Sequence, residues 1–400
     1  MGEAGVAEKP KLFGTIEVGR GIAALMVVLF HLDVAFRSPD YWNQPIFDGL
    51  FSMGFSGVEF FFVLSGFIIA QVHFADIGRP ERFQRYASRR FLRIYPVYWI
   101  VLAGMMLLLI LPLGFGEPPS IGIALQSIAL IGPDSDATVL MVAWTLFQEI
   151  AFYTVFGLLI LNVRFGLVIV AAWVALVLAE MAGFSIGVLP AYLASPLNLL
   201  FLFGLVACLA SRSGGLPMPG LWTVVGIAGF VMVWADGLSG QMLSKTPQAL
   251  AFGLAAAVGL AAVTTLERRR PVAVPRLALA MGAASYSIYL VHAPLISFMA
   301  KVAAATGLRE SVPPAVSFVV MFLVAVGASY AFHRVVEKPM LRIGAKLLAT
   351  GPLKVQPQGD TLGWRKGLVS GLPGWHGREV SVGSILNYGR YGAFTCAMIL

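Results

Sequence analysis

The chain is 400 residues long; 58% of them are hydrophobic and only 12% are charged. Soluble domains carry about 25% charged residues, so the composition excludes an ordinary soluble enzyme and points to a polytopic membrane protein. The formal net charge of +8 fits excess Lys and Arg in cytoplasmic loops and calls for no nucleic acid, and two cysteines, Cys208 and Cys396, suggest neither a disulfide framework nor a metal cluster.

Hydropathy predicts an all-α transmembrane helix bundle of about ten spans. They lie at 14–36, 50–74, 94–113, 139–162, 165–183, 195–211, 220–240, 247–266, 277–299 and 312–334. The span at 195–211 is short. The stretch 120–132 is apolar but too short to cross alone, so it reads as interfacial or re-entrant.

The first span opens with Glu17 and Arg20 and carries His31 further along. It does not read as a cleavable signal. At about 100° per residue Arg20 and His31 share a helix face, about 16 Å apart along the axis. That places Arg20 at one membrane surface and His31 near the midplane. An ionisable group at that depth faces a partner or a wet cavity. A neutral histidine bonded to a neighbouring helix meets the same requirement.

Span two contains Gly57-Val-Glu59-Phe-Phe-Phe-Val-Leu-Ser65-Gly66-Phe67. Glu59 lies about 13 Å from the outer end, where a carboxylate is protonated or paired, with His31 or in a purely structural role. Ser65-Gly66 reads as a close helix contact. The loop that follows, 79–93, holds Arg79, Arg82, Arg85, Arg89, Arg90 and Arg93 among aromatics. It suits an interfacial helix on anionic lipid. It equally suits a phosphate clamp, since Arg90 and Arg93 share a helix face.

Span four holds Trp144-Thr-Leu-Phe-Gln-Glu149-Ile-Ala-Phe152-Tyr153, with Phe152 and Tyr153 on the face of Glu149. In span nine Ser285, Tyr289 and His292 form one polar stripe, expected to face the bundle interior. Glu337-Lys338-Pro339 after span ten, next to His333, reads as a helix stop with a surface salt bridge. His31, Glu59, Glu149 and His292 thus fall at comparable depths. They suit general acid–base chemistry or a transporter's proton relay.

Loop charges support ten spans with both termini cytoplasmic. One side collects nineteen cations, including the six arginines of 79–93 and Arg268, Arg269, Arg270 and Arg276. The other holds only Arg37, Lys245, Lys301 and Arg309, the asymmetry that the positive-inside rule describes. Residues 1–346 form the transmembrane domain. The Gly-rich, polar stretch 347–400 reads as a mostly disordered cytoplasmic tail.

These pieces together resemble the acyltransferase-3 family of integral membrane acyltransferases, which O-acylate bacterial surface and secreted carbohydrates. The resemblance rests on Ile16-Glu-Val-Gly-Arg20-Gly with His31, the span-two segment 57–67, and Arg90-Phe-Leu-Arg93-Ile-Tyr-Pro96. It continues with Trp144-Thr-Leu-x-x-Glu149-x-x-Phe152-Tyr153, Ser285-Tyr-Ser-Ile-Tyr-Leu-Val-His292 and Glu337-Lys-Pro339, in the family's order over roughly 14–340. Glu17 stands where the family usually has Asp, and Phe147 and Ile150 replace the usual small and acidic residues beside Glu149.

The resemblance implies an O-acyltransferase of the bacterial inner membrane. It would use cytoplasmic acyl-CoA, typically acetyl-CoA, as donor substrate, with no bound cofactor and no metal. The acceptor would be a hydroxyl of an exopolysaccharide, an O-antigen or a lipo-oligosaccharide. Arg20, Arg90 and Arg93 match the family's acyl-CoA-binding motifs. His31 is the implied catalytic residue, with Glu149 or Glu59 orienting the imidazole or holding the sugar, and Ser285, Tyr289 and His292 on the substrate side. Direct transfer and an acyl-His31 intermediate both fit. The rival reading is a proton-coupled exporter of a glycan or lipid.

Overall fold

The computed structural model describes residues 13–111, 117–135, 137–184, 187, 189–240 and 243–350. Cys396 and nearly all of the expected tail lie outside these residues. The described chain is helical, and no strand occurs among the described residues. The helices are α1 (Gly14–Arg37), α2 (Ser56–His73), α3 (Phe83–Ile110), α4 (Ile121–Ala129), α5 (Trp144–Leu161), α6 (Val163–Met181) and α7 (Ala191–Ala194). They continue as α8 (Asn198–Arg212), α9 (Pro219–Ser239), α10 (Lys245–Arg269), α11 (Arg276–Ala305), α12 (Leu308–Ser311), α13 (Pro314–Phe332) and α14 (Lys338–Thr350).

Nine helical segments among the described residues are long and apolar enough to cross a bilayer. The tenth predicted span is α8, whose 15 residues rise only about 22 Å against a core of ~30 Å. Side chains close the gap before it. Asn198 Nδ2 donates to the carbonyls of Tyr192 and Leu193 at 2.8 and 3.0 Å, and Trp173 Nε1 donates to Leu193 O at 2.7 Å. Irregular backbone is tolerated among membrane helices only when its polar groups are met in this way.

Two of the helix crossings that glycine makes position the site. A Cβ on Gly66 would lie 1.9 Å from Phe201 O, and one on Gly204 would lie 1.8 Å from Val63 O, so α2 and α8 run backbone to backbone. Between α1 and α11, a Cβ on Gly282 would lie 2.0 Å from Glu17 O, and one on Gly21 would lie 3.0 Å from Gly282 N. Small residues permit this approach where apolar burial gives helices no reason to associate in lipid. The second crossing fixes a register. His31 and His292 each follow their glycine by ten residues. Each therefore rises about 15 Å above the crossing with the same rotation. Two parallel helices pinned at Gly21 and Gly282 bring the two histidines side by side.

Two local readings are corrected. The arginine-rich stretch is not a loop before the third span: from Phe83 it is the first turns of α3, preceded by a short 3₁₀ turn at Pro80–Arg82. Nor does the helix stop at Glu337-Lys338-Pro339. The chain passes through a π-helical turn, His333–Glu337, into α14. Pro339 lacks an N–H and its ring crowds the carbonyl four residues back. A widened turn accommodates both without ending the helix. Glu337 is consequently no surface ion-pair member. It is 2% exposed, and its Oε2 accepts from Ser287 Oγ at 2.6 Å and lies 2.7 Å from His333 Nδ1.

The 120–132 stretch forms α4, capped by Ser120 Oγ accepting from Ile123 N. Its last carbonyls, Ser127, Ile128 and Ala129, accept from Tyr98, Trp99 and Tyr95 of α3 at 2.7, 2.9 and 2.8 Å. This short helix is thus strapped to α3 by aromatic donors.

Candidate active site

A cavity of about 280 Å³ lies between α1, α2, α3, α5 and α11. Arg20, Arg90 and Arg93 line it, with Ser65, Glu149, Tyr153, Ser285 and Tyr289. Three guanidinium groups share the wall with one carboxylate, so the field inside favours an anionic occupant. Arg90 and Arg93 project together because they are three residues apart on α3, and Glu149 and Tyr153 do so at four on α5. Arg20 Nη1 bridges Glu17 Oε1 at 3.0 Å. Glu149 Oε1 accepts from the Tyr153 hydroxyl and, at 3.2 Å, from Ser65 Oγ. The walls are braced by hydroxyls: Tyr286 OH donates to Ile94 O at 2.9 Å, and Tyr289 OH pairs with Thr145 Oγ1 at 2.7 Å.

A second hollow of about 460 Å³ lies between α3 and α14. Arg85 and Arg89 line it with Leu92, Leu341 and Leu348, and no carboxylate is among its lining residues. Arg93 lines both hollows and is their common wall. Arg85 and Arg89 become site candidates only because the helix extends through them. In sequence they are two of six similar arginines.

Beyond the cavity toward the C-terminal ends of α1 and α11 stand the paired histidines, with ring centroids 4.8 Å apart. Their hydrogen bonds assign the tautomers. His292 Nδ1 is 2.8 Å from Ile288 O, a pure acceptor, so Nδ1 carries the hydrogen and Nε2 the lone pair. His31 Nδ1 is 2.9 Å from Val27 O and 3.2 Å from His292 Nε2, two acceptors, so it too carries the hydrogen and donates to both. His31 Nε2 is left as an available base, with no hydrogen bond among the described residues. His292 is fully buried and His31 half-buried. Tyr289 connects the two regions: it lines the cavity, and its ring lies 6.0 Å from that of His292.

The structure does not gather the four groups of comparable depth into one cluster. Only the two histidines meet. Glu149 is a cavity residue bound to Tyr153 and Ser65, and no hydrogen bond joins it to either imidazole among the described residues. Glu59 does not line the cavity; it is 4% exposed, and its Oε2 has no hydrogen-bond partner among the described residues. Ser285 and Tyr289 line the cavity wall, whereas the third member of their stripe, His292, faces His31. The partner that orients His31 is thus a histidine on α11, not a carboxylate. The equal offsets from Gly21 and Gly282 were the available signal, and they are visible only once the crossing is known.

The sequence matches the family described as an acyltransferase domain over residues 13–334. The exopolysaccharide production protein ExoZ of Rhizobium meliloti (strain 1021) is 30% identical over 322 residues, which covers 76% of this chain and 94% of that protein. No solved structure matches the chain.

Proposed function

Because the chain belongs to this acyltransferase family, we propose that it moves an acyl group from acyl-CoA, with acetyl-CoA the leading donor, to a hydroxyl of an exported or surface polysaccharide. The inner membrane of a bacterium is the proposed location. The observation that carries the reading is the His31–His292 pair next to a cavity with three arginines. A base with its lone pair free stands beyond a site that attracts anions.

In this reading the phosphates of the donor meet the arginines of α3. Arg85 and Arg89 serve the nucleotide end, and Arg90 and Arg93 meet the donor in the cavity they line. The pantetheine arm runs past Arg93 and Tyr289 toward His31. His31 Nε2 takes the proton of the acceptor hydroxyl, whose oxygen attacks the thioester carbonyl carbon. The carbon–sulfur bond then breaks, CoA leaves as thiolate, and the proton passes from His31 to the sulfur. His292 holds the imidazole so that the proton on Nδ1 stays there. Glu149, fixed by Tyr153 and Ser65, is placed to position the carbonyl end or the sugar. The polysaccharide acceptor takes support from the relative's name alone.

The test follows labelled acetyl groups from acetyl-CoA into polysaccharide in membranes containing the protein. The expected result is CoA-dependent label that Arg90→Ala/Arg93→Ala cuts by at least about tenfold, the loss of a charge-assisted contact or more. Label insensitive to the arginines, or glycan export that a proton ionophore abolishes without any label, contradicts the reading.

A further inference from the structure

Helix α2 ends at His73, a residue that is 1% exposed and plays no part in the chemistry above. The chain then turns through Phe74–Asp76 and brings Asp76 Oδ2 back to 2.8 Å from His73 Nδ1. An ionised carboxylate only accepts, so Nδ1 carries the hydrogen and Nε2 is left as an acceptor. That Nε2 lies 3.4 Å from Arg90 Nη2, which donates to it. On its other side the Arg90 guanidinium lies 5.5 Å from the centroid of the Tyr153 ring. Tyr86, one turn before Arg90, closes the arrangement. Its ring stands edge-on to His73 at 5.0 Å, and its hydroxyl donates to Tyr153 O at 2.8 Å. Arg90 is therefore held by α2 and α5 at once, while its Nε is buried at the cavity wall without a hydrogen-bond partner among the described residues.

We propose that Asp76 and His73 are positioning residues for Arg90: the carboxylate fixes the imidazole tautomer, and the imidazole aims the guanidinium at an anionic oxygen of the donor. The inference rests on the reading of Arg90 as a donor-binding residue. A long arginine side chain left free loses rotamer entropy on binding. One already held presents its remaining N–H groups in place. A histidine at Nε2 suits the task because, in this tautomer, it accepts from Arg90 without adding charge to the wall. A carboxylate there would cancel the charge the donor needs.

The test measures KM and kcat for acetyl-CoA with the full chain in nanodiscs. His73→Phe removes the acceptor, and Asp76→Asn lets the imidazole adopt the other tautomer, which turns an N–H toward Arg90. Both raise KM about tenfold, as loss of a hydrogen bond to a charged group does, with kcat held within about twofold. His73→Gln carries an amide that donates to Asp76 and accepts from Arg90, so its KM stays within about threefold of wild type. In an Arg90→Ala background His73→Phe changes KM by less than about twofold, because there is nothing left to aim. Asp76→Asn, on a half-buried turn, decides the matter if His73→Phe does not accumulate. Unchanged KM in Asp76→Asn, or an equal rise with and without Arg90, overturns the proposal while wild-type turnover keeps the donor reading. A wild type that turns over no acetyl-CoA overturns both.

Discussion

A single hydrogen atom decides what the histidine pair can do. Val27 O and His292 Nε2 both require a donor from His31 Nδ1, so the lone pair of His31 sits on Nε2. His31→Ala is expected to lower acyl transfer by about a thousandfold, within the range for a positioned general base, with protein abundance unchanged on a blot. His292→Ala is expected to cost only about tenfold, since Val27 O still orients the ring. Equal losses in the two variants would show that His292 handles protons itself. At this scale the sequence was informative about identity and weak about partnership. His31, His292 and Glu149 are polar residues in apolar spans, and the cost of burying them makes them visible, whereas Arg90 stands out as one of a run of arginines. Nothing in the spacing says that Glu59 has no partner for one oxygen, or that His73 meets Arg90.

At the level of elements, the site depends on the α1–α11 crossing. A side chain at 282 drives its first carbon into the carbonyl of Glu17, and backbone cannot yield as a side-chain tip does. Gly282→Ala is expected to destabilise the protein by about 1–3 kcal/mol in thermal unfolding. It also parts the histidines, so activity falls more than stability alone explains. Wild-type activity in Gly282→Ala would separate the crossing from the chemistry. The π turn at His333–Glu337 makes a second element-scale prediction. Glu337→Ala leaves Ser287 Oγ and His333 Nδ1 buried without an acceptor, a cost of about 1–3 kcal/mol for each group, read as a lower midpoint of thermal unfolding. The sequence suggested a helix stop here because proline rarely follows a helical turn without ending it. The π turn escapes such reasoning, since a widened turn absorbs Pro339 without ending the helix, and the burial of Glu337 against Ser287 of α11 that goes with it is a tertiary contact.

For the whole molecule, hydropathy and loop charge were the strong signals. Spans nearly all reappear as helices because length and apolar content are properties of the segment itself. The short α8 and the inward-turned start of α3 were harder to read, since each is set by neighbours: α2 for the first, the two hollows for the second. The charge asymmetry predicts that positions 270 and 310 lie on opposite sides of the membrane. With Cys208 and Cys396 replaced by Ala, a membrane-impermeant maleimide added to intact cells should label Glu310→Cys and leave Arg270→Cys unlabelled until the cells are opened. The proposed reaction joins a cytoplasmic donor to an acceptor on the other side through one bundle, and its central step is deprotonation of the acceptor by His31 Nε2. The most direct measurement is thiol release from acetyl-CoA by the purified protein with and without polysaccharide, comparing wild type with His31→Gln. Release that needs the acceptor and falls by about a hundredfold or more in the variant is the predicted result for loss of a general base; release that His31→Gln sustains at the wild-type rate would contradict it.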